Sequence, residues 1–477
     1  MVRSLTGDQG QTLSDAFFVT RAKQLFGLSP QKAEPLRCKT LSPAPALELA
    51  ARAMRGAEDK GSAAAYAWYA EQEPEKLAQF RRRAALLRSS LSPERSQALF
   101  GQQTRLSASR TERYAACPYA FFLEYGLKAK PRRQETFAAP EIGTFIHAIL
   151  EQVAGETMRR GGFKEVDDET LLALTDEAVE RYIEKELGGL ADRSARFSYL
   201  FRRLTASARQ IVLDMAGELR VSQFAPLDFE LNFADPEMLP PVRLSDGETT
   251  LTLTGIADRV DGWEHEGKLY LRVVDYKTGR KAFSLSDVYY GLGLQMLLYL
   301  FALGKNGKER YHMEIVPAGV LYHPARDSIL SFDADADDGA IQKKRLSELR
   351  RSGLVLDGDG VLDAMDEEET KQYVTLRRAG SASGKGVDLA KAEDLGRLAR
   401  HMEETLLALT KELREGQIPA RPIWRSPSDH ACQYCDYTHV CHFSPGERGD
   451  EARVLTQLLP DDVWARLKQE EGGDDVG

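Results

Sequence analysis

Asp258, Asp275 and Lys277 lie within LTLTGIADRVDGWEHEGKLYLRVVDYKTG, residues 251–279, and are of types that can hold a cation and act beside it. Asp275 and Lys277 are two positions apart, so on a strand they share one face, with Tyr276 on the other. Two carboxylates brought to one point repel unless a cation lies between them, and oxygen ligands suit Mg²⁺. A lysine beside such an ion can orient water or stabilise charge on a phosphate oxygen. An isolated D-x-K is common by chance, and its plain reading is a same-face ion pair of little worth.

Other stretches add side chains of the same kind. PLDFELNF, residues 226–233, alternates Leu227, Phe229, Leu231 and Phe233 with Asp228, Glu230 and Asn232, a half-buried strand with Glu230 on its polar side. IGTFIHAILEQV, residues 142–153, reads as a helix with apolar Ile142, Phe145, Ile146, Ile149, Leu150 and Val153, and His147 at the flank of that stripe. SLSDVYYGLGLQMLLYLFAL, residues 284–303, reads as a Ser-capped helix with Gln295 and Tyr299 one turn apart. CQYCDYTHVC, residues 432–441, holds three of the chain's five cysteines, one short of a four-thiolate site.

The elements that must position these residues follow from the pattern. LTLTGIADRV and KLYLRVVDYKTG flank the polar EHEG and read as a β-hairpin, which brings Asp258 alongside Asp275. Residues 1–104 read as helical and poor in motifs, and residues 325–400 as an acidic, Gly-bearing insertion or mobile loop region with short helices. The helix LGRLARHMEETLLALTKELREG leads into the cysteines, and residues 446–477 read as a tail. GSASGKG, residues 380–386, is one residue short of a phosphate-binding loop and has Gly386 where Ser or Thr should stand, so no ATPase site is assigned.

The 477 residues are enough for two or three domains, with 42% apolar and 29% charged residues, an ordinary globular composition. No apolar run reaches signal-peptide or membrane-span length, which gives the expectation of a cytoplasmic chain with no membrane partner. So few cysteines are no disulfide scaffold, and their tight cluster reads as a metal or cofactor site. A net charge of -9 does not suggest a general nucleic-acid binder. Residues 105–133 depart from it, with seven Lys or Arg against two Glu and five aromatics interleaved. That stretch is either a local nucleic-acid contact or a solvated helix over an aromatic core.

GTFIH with His147, Glu230 on its strand, GIADRVD with Asp258, DYKTG with Asp275 and Lys277, and QMLLY with Gln295 and Tyr299 occur in one order. In that order the chain resembles the RecB-type PD-(D/E)xK nucleases over roughly residues 105–445, most closely the nuclease domain of AddB subunits of bacterial AddAB helicase–nucleases. The resemblance implies an α/β fold of the restriction-endonuclease type: a mixed sheet flanked by helices, an N-terminal helical segment and a four-cysteine iron–sulfur staple. It implies Mg²⁺- or Mn²⁺-dependent exonuclease action on single-stranded DNA ends in double-strand-break repair. Asp258 and Asp275 would hold the metal with help from His147 and the Tyr276 carbonyl. Glu230 would position water, Lys277 would assist the nucleophile, and Gln295 and Tyr299 would contact DNA or brace the site.

Iron–sulfur members place one cysteine ahead of the nuclease core and three after it, spaced C-x2-C-x5-C. Cys432, Cys435 and Cys441 have that spacing and Cys117 matches the upstream position, implying a [4Fe–4S] cluster, with Cys38 left as a free thiol. Zn²⁺ suits four cysteines as well, and His430, His439 or His442 could replace one. Full AddB subunits carry a helicase-like region ahead of the nuclease, so residues 1–104 are expected to be its remnant, in a fragment or a short relative. The partner implied is an AddA-type helicase subunit. The rival expectations are a stand-alone RecB-like nuclease, for instance CRISPR-associated, and an inactive DNA-binding scaffold that keeps the fold.

Overall fold

The computed structural model describes residues 15–27, 42–54, 56, 59–84, 90–101, 104–130, 139–189, 194–235, 238–279, 281–326, 337–358, 360–367, 371–378, 380–382, 384–447 and 449–473. Cys38, Arg132 and Arg133 lie outside them. The N-terminal part forms helices α1 (Phe17–Phe26), α2 (Pro43–Met54), α3 (Lys60–Gln72), α4 (Pro74–Ala84) and α5 (Pro93–Phe100). Asp59 caps α3 by accepting from the Ser62 amide, and Ser92 with Pro93 starts α5. Leu49, Ala50, Tyr69 and Leu77 give α2–α4 a small core of their own.

The chain continues through β1 (Thr104–Ser107), α6 (Ala108–Ala116), α7 (Pro118–Phe121), a π-helical turn Phe122–Gly126, α8 (Ala139–Arg159), α9 (Asp168–Leu187) and α10 (Ala195–Arg220). Next come β2 (Ala225–Asn232), β3 (Val242–Ser245), β4 (Thr250–Thr254), β5 (Ile256–His265), β6 (Lys268–Lys277), α11 (Leu285–Tyr289), α12 (Gln295–Tyr311) and β7 (Glu314–Pro324). The last part holds α13 (Asp338–Glu348), β8 (Ser352–Leu356), α14 (Val361–Met365), β9 (Gly386–Ala390), α15 (Ala392–Arg414), β10 (Ile423–Ser426), β11 (Asp429–His430), α16 (Thr438–Cys441), β12 (Arg453–Val454) and α17 (Pro460–Gly473).

The expected α/β architecture is present. A six-stranded mixed sheet runs β2-β5-β6-β7-β8-β9, with β6–β7 and β8–β9 parallel and the other neighbours antiparallel. Helices α8, α9 and α10 pack as one apolar cluster that takes in Tyr276 and Ala325. A second cluster, with α12 and α15, takes in Val260, Leu271, Val273 and Leu321. None of the helices among the described residues is long and apolar enough to cross a membrane.

Four expectations need correction. LTLTGIADRV is two strands: β4 pairs with β1 and β3 in a small separate sheet, and β5 enters the main one. The break falls at Gly255, where a Cβ would collide with the Tyr299 hydroxyl. The Ser-capped stretch 284–303 is likewise two helices, α11 and α12, because Gly291 and Gly293 between them take φ of 85° and 66°, outside any helix. Residues 325–400 are no insertion, since β8 and β9 complete the main sheet and every residue of β8 is buried. Residues 446–477 hold β12 and α17, and Val463 and Leu467 of α17 are core residues. In 105–130, Tyr114 and Phe121 are buried, so those rings are core rather than a stacking surface.

Candidate active site

The hairpin sets the first two carboxylates. Arg259 pairs with Val274, so Asp258 comes opposite Asp275 one step along. The Tyr276 amide donates to Asp258 Oδ2 at 2.8 Å. Lys277 Nζ lies 2.6 Å from Asp275 Oδ2, as the shared face required. That oxygen has no aligned hydrogen-bond donor, so charge rather than a directed bond holds the pair. Tyr276 points the other way into the α8–α10 cluster.

His147 approaches from α8. Its Nε2 is 2.9 Å from the Tyr276 carbonyl, which can only accept, so Nε2 carries the hydrogen. Its Nδ1 then faces Asp258 Oδ2 at 3.4 Å. In a neutral imidazole two acceptors would oppose each other there, and a proton or a cation relieves them. The Tyr276 carbonyl, expected as a metal ligand, is the acceptor that orients this histidine.

Glu230 comes from the edge strand. The pairs Phe229–Arg259 and Leu231–Ala257 set it opposite Asp258. Its φ is 47°, a left-handed conformation costly for a residue with a side chain. The alternation resets there: Phe229 packs with the α8–α10 cluster, but Leu231 and Phe233 lie in the other. A bulge between Pro226 and Asp228 leaves Leu227 exposed, against the simple alternation.

Among the described residues, His147, Glu230 and Asp258 are a set whose ligand atoms all lie within 4.8 Å of one another. Asp275 stands next to this set, and Glu230, expected to position water, stands inside it. The electrostatics are those of excess negative charge. Burial, then Asp258, Glu151 and Asp275, raise the Glu230 carboxyl to about 7. Burial and Asp258 raise Asp275 to about 6 against the pull of Lys277. Burial opposes the charged form of His147, yet Asp258, the Tyr276 carbonyl and Asp275 raise it above its ordinary value. Carboxylates that resist ionising side by side fit a divalent cation.

Gln295 begins α12 and Tyr299 is one turn on. The Tyr299 ring stacks on Phe233 at 4.7 Å, and its buried hydroxyl meets the Gln295 side chain and the Ile256 backbone. This pair braces the site.

Two arrangements escaped the sequence reading. Tyr322, beside Asp275 in the β6–β7 register, sets its ring 5.3 Å from Lys277 Nζ. Behind the sheet, fully buried Arg259, Arg272 and Arg351 meet Asp214, Glu218 and Asp261, with His323 among them. Arg259 Nη1 donates to the Tyr276 hydroxyl at 3.2 Å. The available signal was charge inside otherwise apolar strands, in ADRVDG and LRVVD.

The cysteines form the second centre. Cys117 caps α7 ahead of Pro118, Cys432 and Cys435 lie in turns and Cys441 ends α16. All four line one cavity of about 280 Å³, with Tyr119, Trp424 and His430 among its walls, and no disulfide joins them. Burial and the three other thiols push Cys432 up to about 12, a thiol set short of positive charge that fits a thiolate-held metal group. The lobe grips the link between β6 and α12: Arg425 pairs with Asp287 at 2.7 Å, and Arg453 donates to the Tyr290 carbonyl at 3.1 Å.

A profile of the PD-(D/E)XK nuclease superfamily matches residues 105–442. The chain is similar to the B subunit of the ATP-dependent helicase/deoxyribonuclease of Clostridium novyi (strain NT), 34% identical over 386 residues, which are 80% of this chain and 34% of that protein. The protein of the same name from Acetivibrio thermocellus is 31% identical over 492 residues, 98% of this chain and 43% of the relative. That from Thermoanaerobacter sp. (strain X514) is 33% identical over 383 residues, 78% and 33% respectively. The chain thus spans between 33% and 43% of the length of these relatives.

Proposed function

The chain belongs to the PD-(D/E)XK nuclease superfamily, and from that premise we propose that it is a Mg²⁺- or Mn²⁺-dependent deoxyribonuclease that trims single-stranded DNA ends. We further infer that it works in recombinational repair together with a helicase of the AddA type, as the names of its relatives suggest. The observation that carries the reading is the convergence of His147, Glu230 and Asp258 beside the Asp275–Lys277 pair.

His147 Nδ1, Asp258 and Asp275 would hold the ion, with Glu230 facing the same point. When bound, a divalent cation polarises a phosphate oxygen and acidifies water. Glu230 orients the attacking water towards phosphorus. Asp275 fixes Lys277, whose ammonium donates to the phosphate oxygens as negative charge gathers on them. The P–O bond to the leaving oxygen breaks, and one water is consumed for each bond cut. Gln295 and Tyr299 keep β5 and α12 in register around the site.

We also propose a structural [4Fe–4S] cluster on Cys117, Cys432, Cys435 and Cys441. Sulfurs around one zinc at about 2.3 Å would lie about 3.8 Å apart. Among the described residues, the cysteines do not join any set of ligand atoms lying within 4.8 Å of one another. That wider spread favours four separate irons over one ion.

The test is cleavage of single-stranded DNA with Mg²⁺. Asp275→Ala should cut turnover on the order of 10²–10⁴-fold, the several kcal/mol a metal site supplies. Lys277→Ala should also be slow yet keep more of the metal affinity. A folded Asp275→Ala protein with parental turnover would remove the site from consideration.

A further inference from the structure

We propose that Arg326 is a phosphate-binding residue of this site, holding a backbone phosphate next to the one cut; the inference rests on the nuclease reading above. Strands β6 and β7 run parallel with Lys277 paired to Pro324, so both end at the edge where Lys277 works. The Ala325 amide donates to the Lys277 carbonyl at 2.9 Å, extending that pairing beyond β7.

Parity then fixes the side. His323 is 3.3 Å from Asp214 of α10, and Ala325 is buried with Tyr276 in the α8–α10 cluster. Tyr322 has the other parity and lies against Lys277. Arg326 shares the parity of Tyr322, so its side chain leaves on the face of Asp275 and Lys277.

Its chemistry is uncommitted. Arg326 Nε is buried without a hydrogen-bond partner. The arginines behind the sheet differ, each being met by carboxylates: Arg259 by Asp261, Arg272 by Asp261 and Glu218, and Arg351 by Asp214 and Glu218. Lys277 is already paired with Asp275 and serves the phosphate being cut. A donor kept from water without an acceptor is unfavourable, and a ligand that brings the acceptor relieves it. The planar fork of a guanidinium matches two oxygens of one phosphate. A DNA strand entering over Lys277 presents successive phosphates, and Arg326 is placed to take one of them.

The experiment uses the full chain and a single-stranded oligonucleotide. Binding is measured in EDTA across a salt series and cleavage is measured in Mg²⁺. R326A should flatten the slope of log affinity against log salt by about 0.7. It should raise KM about tenfold with little change in kcat, as loss of one charge-assisted contact to a bound phosphate does. R326K should keep the slope while raising KM. Since Nε has no internal partner, R326A should melt no lower than the parent. An R326A protein with parental slope and KM overturns the inference, as does one that melts lower with an unchanged slope, which would make Arg326 a structural residue. A parent that neither binds nor cleaves single-stranded DNA overturns the nuclease reading and this inference together. A parent that cleaves, with R326A indistinguishable from it, overturns the inference alone.

Discussion

Glu218→Gln is expected to destabilise the nuclease core severely, although it changes one oxygen for one nitrogen. Glu218 is 0% exposed, as are the three arginines around it. Its Oε1 lies 2.9 Å from Arg272 Nη2 and 3.3 Å from Arg259 Nη2, and its Oε2 lies 2.7 Å from Arg351 Nη2. With Asp214 and Asp261 present, three carboxylates balance three guanidiniums, and the glutamine leaves one buried positive charge unbalanced. At 3 Å and an effective dielectric constant of 20, each attraction is worth about 5 kcal/mol before desolvation. Removing one partner from a buried pair costs about 3–5 kcal/mol, a large part of a total of about 5–15 kcal/mol. At about 2 °C per kcal/mol for a large domain, the melting temperature should fall on the order of 6–10 °C. Asp168→Ala is the control: Asp168 sits 2.6 Å from Arg220 but is 61% exposed, and its loss should cost under about 1 kcal/mol. The pH dependence carries a sign. Burial pushes Glu218 up, but Arg351, Arg272 and Arg259 outweigh it and hold it well below the ordinary 4.5. The folded chain therefore binds fewer protons there than the unfolded one. The stabilisation is complete above 4.5 and is lost as pH falls below it through the folded value, so the gap between parent and variant should narrow in acid. A Glu218→Gln protein melting within a degree of the parent at neutral pH would refute the reasoning.

Cys117→Ser should lose iron and sulfide as fully as replacement of any of the downstream three cysteines, and should make the chain after residue 420 protease-sensitive; full metal content, or stoichiometric zinc in anaerobically prepared parent, would count against the cluster. Tyr322→Leu should lower kcat about 2–30-fold with KM little changed, because the ring that steadies the Lys277 ammonium is gone. Tyr322→Phe should retain most of the rate, and a phenylalanine variant as slow as the leucine one would move the role from the ring to the hydroxyl.

Much of the site was legible because it depends on local periodicity. Asp275 and Lys277 share a face by the two-residue repeat, and the hairpin alone brings Asp258 to Asp275. Glu230 was found for a partly wrong reason, since the alternation that singled it out breaks at its own left-handed backbone. Gln295 and Tyr299 are one turn apart as expected, although their helix starts ten residues later than Leu285, where the helical run was expected to begin. What was missed depends on contacts distant in sequence. Gly255 ends a strand because Tyr299 occupies its Cβ space, and no local pattern carries that. SGLVL becomes a buried strand between β7 and β9 although charged stretches flank it on both sides. Tyr322 reads locally as one more core aromatic, and only the β6–β7 register brings it to Lys277.

The same distinction explains why Tyr276, noticed in the sequence only as the residue on the other face, joins the two halves of the mechanism. Its amide fixes Asp258 and its carbonyl fixes the tautomer of His147, so two candidate ligands are oriented by one peptide unit on either side of it. Its ring is sunk among α8–α10 and its hydroxyl is held by Arg259, whose charge is balanced by Asp261 and Glu218. The carboxylates at the strand ends repel one another before any cation binds, and that repulsion would open a loosely held hairpin. The buried ion network opposes it from behind, through the side chain between Asp275 and Lys277. The stability lost by disturbing Glu218 should therefore be accompanied by a loss of cation affinity at a site that Glu218 never touches.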